Sequence, residues 1–247
     1  MRVFRNLVCL AGLIGMLVTA ARAAEDPRPA VAHYETRKQP SRDGIGKVYF
    51  GREIAHVMGH QAAGWLERPE RQTEERTDLL LEALALKPGE VVADIGAGSG
   101  YFSWRMARKV GPTGRIYAVD IQQEMLDILG RKMKEQQVAE IVQPVLGTVQ
   151  DPKLPAGGVD TIILVDVYHE LDFPYEMTRA MIRALKPGGR LVLVEYRGED
   201  PAVPIKPLHK MTVAQVRKEM SAHPIRLEQT IGTLPWQHII ILRKAAP

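Results

Sequence analysis

The 247 residues, 45% hydrophobic and 25% charged, suffice for one α/β domain with a sizeable core and little beyond it. The formal net charge is +4, and Arg2, Arg5 and Arg22 lie in a segment expected to be removed. Three arginines fewer leave +1, too close to neutral to argue for a nucleic-acid partner. The one cysteine, Cys9, lies in the same segment, which excludes cysteine nucleophiles, disulfides and thiolate metal sites from the remainder.

Residues 1–23 read as a secretory signal peptide. Arg2 and Arg5 precede an apolar run from Leu7 to Ala20, and Ala21-Arg22-Ala23 offers a small-x-small cleavage site. The run is shorter than the ~20 residues a spanning helix needs. A Sec-type route, cleavage and a periplasmic or secreted product are therefore expected, with no stable membrane span afterwards. Residues 24–47, with Pro27, Pro29, Pro40, Gly44 and Gly46, read as a flexible linker.

Residues 48–77 read as a helical segment. Ile54, Val57, Met58 and Trp65 recur at helical spacing up to Pro69, and a second helix is expected from about Thr73 to Leu86. Arg52, His56, His60, Arg68 and Arg71 are an unusually polar set for padding, so a pocket wall is expected. His56 and His60 are four apart, a metal-ligand spacing on a helix. With no third ligand in view no metal is expected, and the pair is read as polar contacts at the mouth of a site.

The centre of the chain is residues 90–120. Val91-Val92-Ala93 ends in Asp94-Ile95, breaks into Gly96-Ala97-Gly98-Ser99-Gly100, resumes with helical periodicity, and returns to an apolar run that stops at Asp120. This is strand, tight turn, helix, strand, with an acid at the tip of each strand. Glycines allow positive φ and close approach of backbone to a ligand, and the following helix start offers unpaired N–H groups. Asp120 is spaced to accept from two ribose hydroxyls. A dinucleotide fingerprint would need a glycine where Tyr101 stands, and a carboxylate at Asp94 repels phosphate. It suits a cation, such as the ammonium of a methionine moiety.

Further on, a helix from Gln122 to Lys134 leads to a strand over about 140–146. A continuous apolar strand, Thr161 to Val165, then delivers Asp166-Val167-Tyr168-His169-Glu170 to the edge that carries the glycine loop. His169 is the best proton acceptor in the chain, with a reference pKa near ~6.5, against the plainer role of shaping the pocket. Asp166 is expected to orient substrate or cofactor, and Arg197 to meet a substrate anion or lie at the surface. Thr212 is expected to cap a helix through Glu219, followed by strands over about 225–231 and 237–242.

These motifs, in this order, resemble those of the class I S-adenosylmethionine-dependent methyltransferases. The glycine loop and RIYAVD look like the family's first two motifs, residues 159–166 fit a third, and the LKPGG turn before Arg190 is among its most recognisable signatures. The resemblance implies a Rossmann-like, doubly wound, seven-stranded sheet over residues 78–247. That sheet would be mostly parallel, end in an antiparallel C-terminal hairpin, and follow N-terminal helices that act as a lid. It implies S-adenosyl-L-methionine as cofactor. Asp94, Gly96, Ala97, Gly98, Gly100, Tyr101, Asp120 and Ile121 would hold its methionine and ribose, Thr148 and Val149 would run along the adenine, and Asp166 would stand near the methyl.

His56, His60, Trp65, Tyr168 and Arg197 are the expected substrate and lid residues. No N-P-P-Y signature follows the fourth strand, which tilts the acceptor toward a small or lipid-like molecule. Two rival readings are an exported, non-catalytic adenosyl-binding module and a nicotinamide-dependent oxidoreductase, the latter disfavoured by Tyr101 and Asp94.

Overall fold

The computed structural model describes residues 34–245, so the expected leader and residues 24–33 of the expected linker lie outside the described residues. The first described elements differ from expectation. Strands β1 (Tyr34–Thr36), β2 (Gly44–Tyr49) and β3 (Arg52–Ala55) form a small antiparallel sheet in that order, where a flexible arm and the start of a helix were expected.

Two local features explain this. Phe50 and Gly51 both have positive φ, 49° and 87°, which closes a two-residue hairpin whose twist suits antiparallel strands. Glu53 is buried and accepts from Ser41 N at 2.9 Å, Gly46 N at 3.1 Å and Arg37 at 2.8 Å, so a polar hub organises the loop. The helix-like spacing of Ile54, Val57 and Met58 was coincidental. Ile54 points into a strand-side core, and the other two lie in the following loop.

Three short helices follow: α1 (Ala63–Leu66), α2 (Arg71–Glu75) and α3 (Thr77–Ala83). The single helix expected from Thr73 is divided at Arg76, whose backbone is left-handed at φ 50°, ψ 56°. The break turns Thr77 inward, where its hydroxyl lies 3.1 Å from that of Tyr101.

From there the expected elements are present: β4 (Val91–Ile95), α4 (Ser103–Val110), β5 (Arg115–Asp120), α5 (Gln123–Glu135), β6 (Val142–Leu146), β7 (Val159–Val165), α6 (Pro174–Ala184), β8 (Leu185–Tyr196), α7 (Val213–Met220), β9 (Ile225–Ile231) and β10 (Gln237–Lys244). The strand order is β6-β5-β4-β7-β8-β10-β9. Strands β6, β5, β4, β7 and β8 are parallel neighbours, and β10 is antiparallel to β8 and β9, as the resemblance implied. Thr212 caps α7 through its hydroxyl, which accepts from Gln215 N at 3.0 Å.

Helices cover both faces of this sheet. Ile163 of β7 faces one apolar layer with Met106 and Leu129, while Ile162 and Leu164 face the other with Met181 and Val216. This two-sided burial is why β7 is uniformly apolar. The chain winds outward from β4 to β6, then returns to β7 on the opposite side of β4. The strand order therefore reverses between β4 and β7, and a crevice opens at their carboxyl ends. Among the described residues, no helix is long and apolar enough to cross a membrane.

Candidate functional site

That crevice is a cavity of about 410 Å³, walled by the tips of β4, β5 and β7 and roofed by residues of the segment before α3. One wall is made by the glycine loop. Gly96 and Gly98 have φ of 68° and 54°. A Cβ on Gly96 would fall 2.6 Å from Val167 Cγ2, so both space and φ require glycine there, while at Gly98 the nearest atom is the mobile tip of Leu66 and the requirement comes from φ. Asp120 lies across the loop, its carboxylate accepting from Gly98 N and Gln122 N, each at 2.9 Å. Burial raises its pKa. Ile121, Thr148 and Val149 continue the same wall.

Other residues expected on this wall stand behind it. Asp94 is buried and accepts from Ser103 Oγ at 2.6 Å, tying the start of α4 to β4; it does not line the cavity. Burial pushes its carboxyl up to about 6. Ala97 donates its N–H to Val119 O at 3.0 Å. Gly100 packs on Leu129 and Met133 of α5. The Tyr101 ring lies beneath the guanidiniums of Arg71 and Arg105 and does not line the cavity. These residues shape the loop and do not line the cavity.

The opposite wall begins at Asp166, which ends β7 with φ 55° and lines the cavity. Gln237 Nε2 donates to its Oδ2 at 2.8 Å, while Oδ1 is shielded from solvent with no partner in the protein. Burial, reinforced by the charges of Glu75 and Glu195, holds its pKa well above the carboxylate range. His169 follows, 1% exposed. Its Nδ1 lies 2.6 Å from Glu195 Oε2 and its Nε2 lies 3.2 Å from His209 Nδ1. Glu170 Oε1 is 3.8 Å from that Nε2 and 3.4 Å from His209 Nδ1. His169, Glu170 and His209 all face the cavity.

A layer of charge holds this wall from behind. Arg52 donates Nε and Nη2 to Glu219 at 2.8 and 3.1 Å, and Nη1 to the carbonyl of His169 at 3.0 Å. Tyr168 is fully buried, donates its hydroxyl to Glu219 at 2.8 Å and does not reach the cavity, so it supports the wall and is not a substrate contact. The small N-terminal sheet thus buttresses the loop that carries His169.

Of the remaining expected residues, Trp65 lines the cavity. Arg197 is committed to the carbonyls of Gly232, Leu234 and Pro235 and serves the β9–β10 turn, not a substrate anion. His56 is exposed and outside the cavity wall. His60 sits in a short 3-10 turn, also off the wall, and its N–H donates to Gln122 Oε1 at 2.9 Å. The two share no helical face, because no continuous helix joins them. Arg71, one of the polar set expected to form a pocket wall, is paired with Glu75 at 2.9 Å and enters from α2. One wall residue carried no local sequence signal: His209, on a 3-10 turn.

Residues 92–189 match a family profile described as a methyltransferase domain. A ubiquinone/menaquinone biosynthesis C-methyltransferase UbiE from Ectopseudomonas mendocina is 31% identical over 116 residues, which are 47% of this chain and 45% of that protein. The chain thus spans less than half the length of the curated relatives it matches. Among solved structures, a SAM dependent methyltransferase from Aquifex aeolicus superposes with a TM-score of 0.71 at 22% identity, covering 76% of this chain and 99% of that one. The [4+2]-cyclase SpnF superposes with a TM-score of 0.60 at 17% identity, covering 89% and 90%.

Proposed function

Because this chain belongs to the class I S-adenosylmethionine-dependent methyltransferases, we propose that it methylates a small-molecule or lipid-like acceptor held in the same cavity as its cofactor. The observation that carries this is the cavity itself. It joins a glycine-loop wall, with a ribose-type carboxylate at Asp120, to a buried polar cluster at the tip of β7.

The residues present fit S-adenosylmethionine. Gly96 and Gly98 leave room for close approach, and Asp120 is set to take the ribose hydroxyls in exchange for backbone partners it now holds. Asp166 Oδ1, buried without a partner, is the group assigned to the ammonium in place of Asp94. Arg71, buried at the cavity edge, is assigned to the carboxylate. When bound, this cofactor supplies an electrophilic methyl group on a sulfonium.

The protein's part is to position and to dry. Val57, Met58, Trp65, Leu66 and Ile205 give the cavity an apolar mouth, which suits an acceptor with an apolar body. Holding the acceptor's lone pair in line accounts for about 7–11 kcal/mol of barrier lowering in well-aligned systems. Glu195, accepting from His169 Nδ1, fixes that ring with its Nε2 edge toward His209 and the cavity. The arginine-flanked apolar leader supports export to the periplasm or beyond.

Calorimetry with S-adenosylhomocysteine and with NADH tests the reading. Binding of the first and not the second is expected; the reverse, or no binding of either, overturns it. Binding without turnover across a broad acceptor panel would instead favour a non-catalytic adenosyl-binding module.

A further inference from the structure

We propose that His169, Glu170 and His209 bind one zinc ion through His169 Nε2, Glu170 Oε1 and His209 Nδ1, with an open coordination position facing the cavity. The three atoms stand 3.2, 3.4 and 3.8 Å apart. The point equidistant from them lies inside the triangle, about 2.0 Å from each, which is the length of zinc–imidazole and zinc–carboxylate bonds. The two rings meet edge to face at 77°, with centroids 5.1 Å apart, so they do not stack over that point.

The surroundings are those of a metal site. Glu195, fully buried, lies 2.6 Å from the far nitrogen of His169 and is itself fixed by the Tyr168 N–H at 2.9 Å. A carboxylate on the outer nitrogen sets the tautomer and raises the basicity of the ligating one. Glu170 is oriented in the same way, its other oxygen accepting from Met58 N at 3.3 Å. With both imidazoles neutral and the His169 proton directed to Glu195, the single proton of His209 Nδ1 serves either His169 Nε2 or Glu170 Oε1, and two lone pairs are left facing each other. A dication satisfies all three atoms at once.

Two imidazoles and one carboxylate disfavour magnesium and calcium, which take oxygen ligands, and match the three-ligand zinc sites that keep a fourth position open. That position opens onto the cavity where the acceptor binds. This further step rests on the methyl-transfer reading. It narrows the acceptor to a molecule bearing a hydroxyl or thiol, which on coordination releases its proton to water at the cavity mouth and stays bound as the anion.

The test uses the untagged full chain, stripped with EDTA and titrated with zinc(II) by calorimetry, with cobalt(II) as a visible-absorption probe. One equivalent is expected to bind, with the absorption of a low-coordinate cobalt site. Binding should fall ~10–100-fold in Glu195→Gln, as for other outer-sphere partners, and further in His209→Ala and Glu170→Gln. Those variants are expected to bind S-adenosylhomocysteine as the parent does, which shows that they fold. Absence of stoichiometric binding, or binding indifferent to all three substitutions, overturns the metal site. Zinc binding without S-adenosylhomocysteine binding leaves the site standing and defeats the methyl-transfer reading; the opposite pattern does the reverse.

Discussion

The two walls of the cavity are built by different means. The glycine-loop wall comes mainly from one short stretch, Gly96 to Asp120, and works largely through backbone: positive-φ glycines and N–H groups aimed at a carboxylate. The facing wall is assembled from side chains at positions 52, 166, 169, 170, 195, 209 and 219, on elements that meet only in the folded protein. A backbone wall suits a ligand shared by a whole family. A wall of dispersed side chains is free to vary and to set the chemistry of one member.

If the facing wall depends on its buried charges, removing one should do the most harm. Arg52→Ala strands Glu219 without its partner and is expected to destabilise the protein by about 3–5 kcal/mol, read as a lower urea midpoint. A loss below ~1 kcal/mol would mean that the N-terminal sheet is not a buttress.

Behind the glycine loop, the prediction concerns pH. Asp94 is raised to about 6 by burial, so the folded protein holds its proton more tightly than the unfolded chain does. Its contribution to stability is therefore full below pH ~4 and lost as pH rises through ~6, on the order of 3 kcal/mol across that window. Asp94→Asn should remove that dependence, visible as a flatter curve of unfolding free energy against pH. An unchanged slope would show that Asp94 is not desolvated.

On the glycine-loop wall, Asp120→Ala is expected to weaken S-adenosylhomocysteine by about 1.5–3 kcal/mol, measured by calorimetry. His209→Ala should leave that affinity unchanged, and equal losses from both would abolish the distinction between the walls. The smallest effect sharpens a correction. His56→Ala, exposed and outside the cavity, should change stability and ligand affinity by no more than about 0.5 kcal/mol.

The core was legible where one physical signal dominated. Apolar strands buried on both faces and helices of regular period marked out the elements, and the resemblance carried by the glycine loop and LKPGG implied the seven-stranded sheet with its antiparallel hairpin. Legibility failed over residues 34–76. A Phe-Gly turn carries little of the usual hairpin signal, a buried Glu53 hub has no periodicity, and Ile54, Val57 and Met58 imitate a helix. Of the two acids of the glycine motif only Asp120 lines the cavity, because Asp94 spends its carboxylate on Ser103.

By itself the sequence determined the strands, the glycine turn and the acid at each strand tip, since local propensity, burial pattern and glycine spacing act between residues near one another in the chain. The sheet's architecture and the kind of cofactor followed from the resemblance those motifs carry. Only the tertiary structure decided what stands across from the cofactor. His209 is forty residues from His169 with nothing in between to announce the pairing, and Arg52, Glu195 and Glu219 acquire their roles through burial beside groups that the chain order keeps far apart.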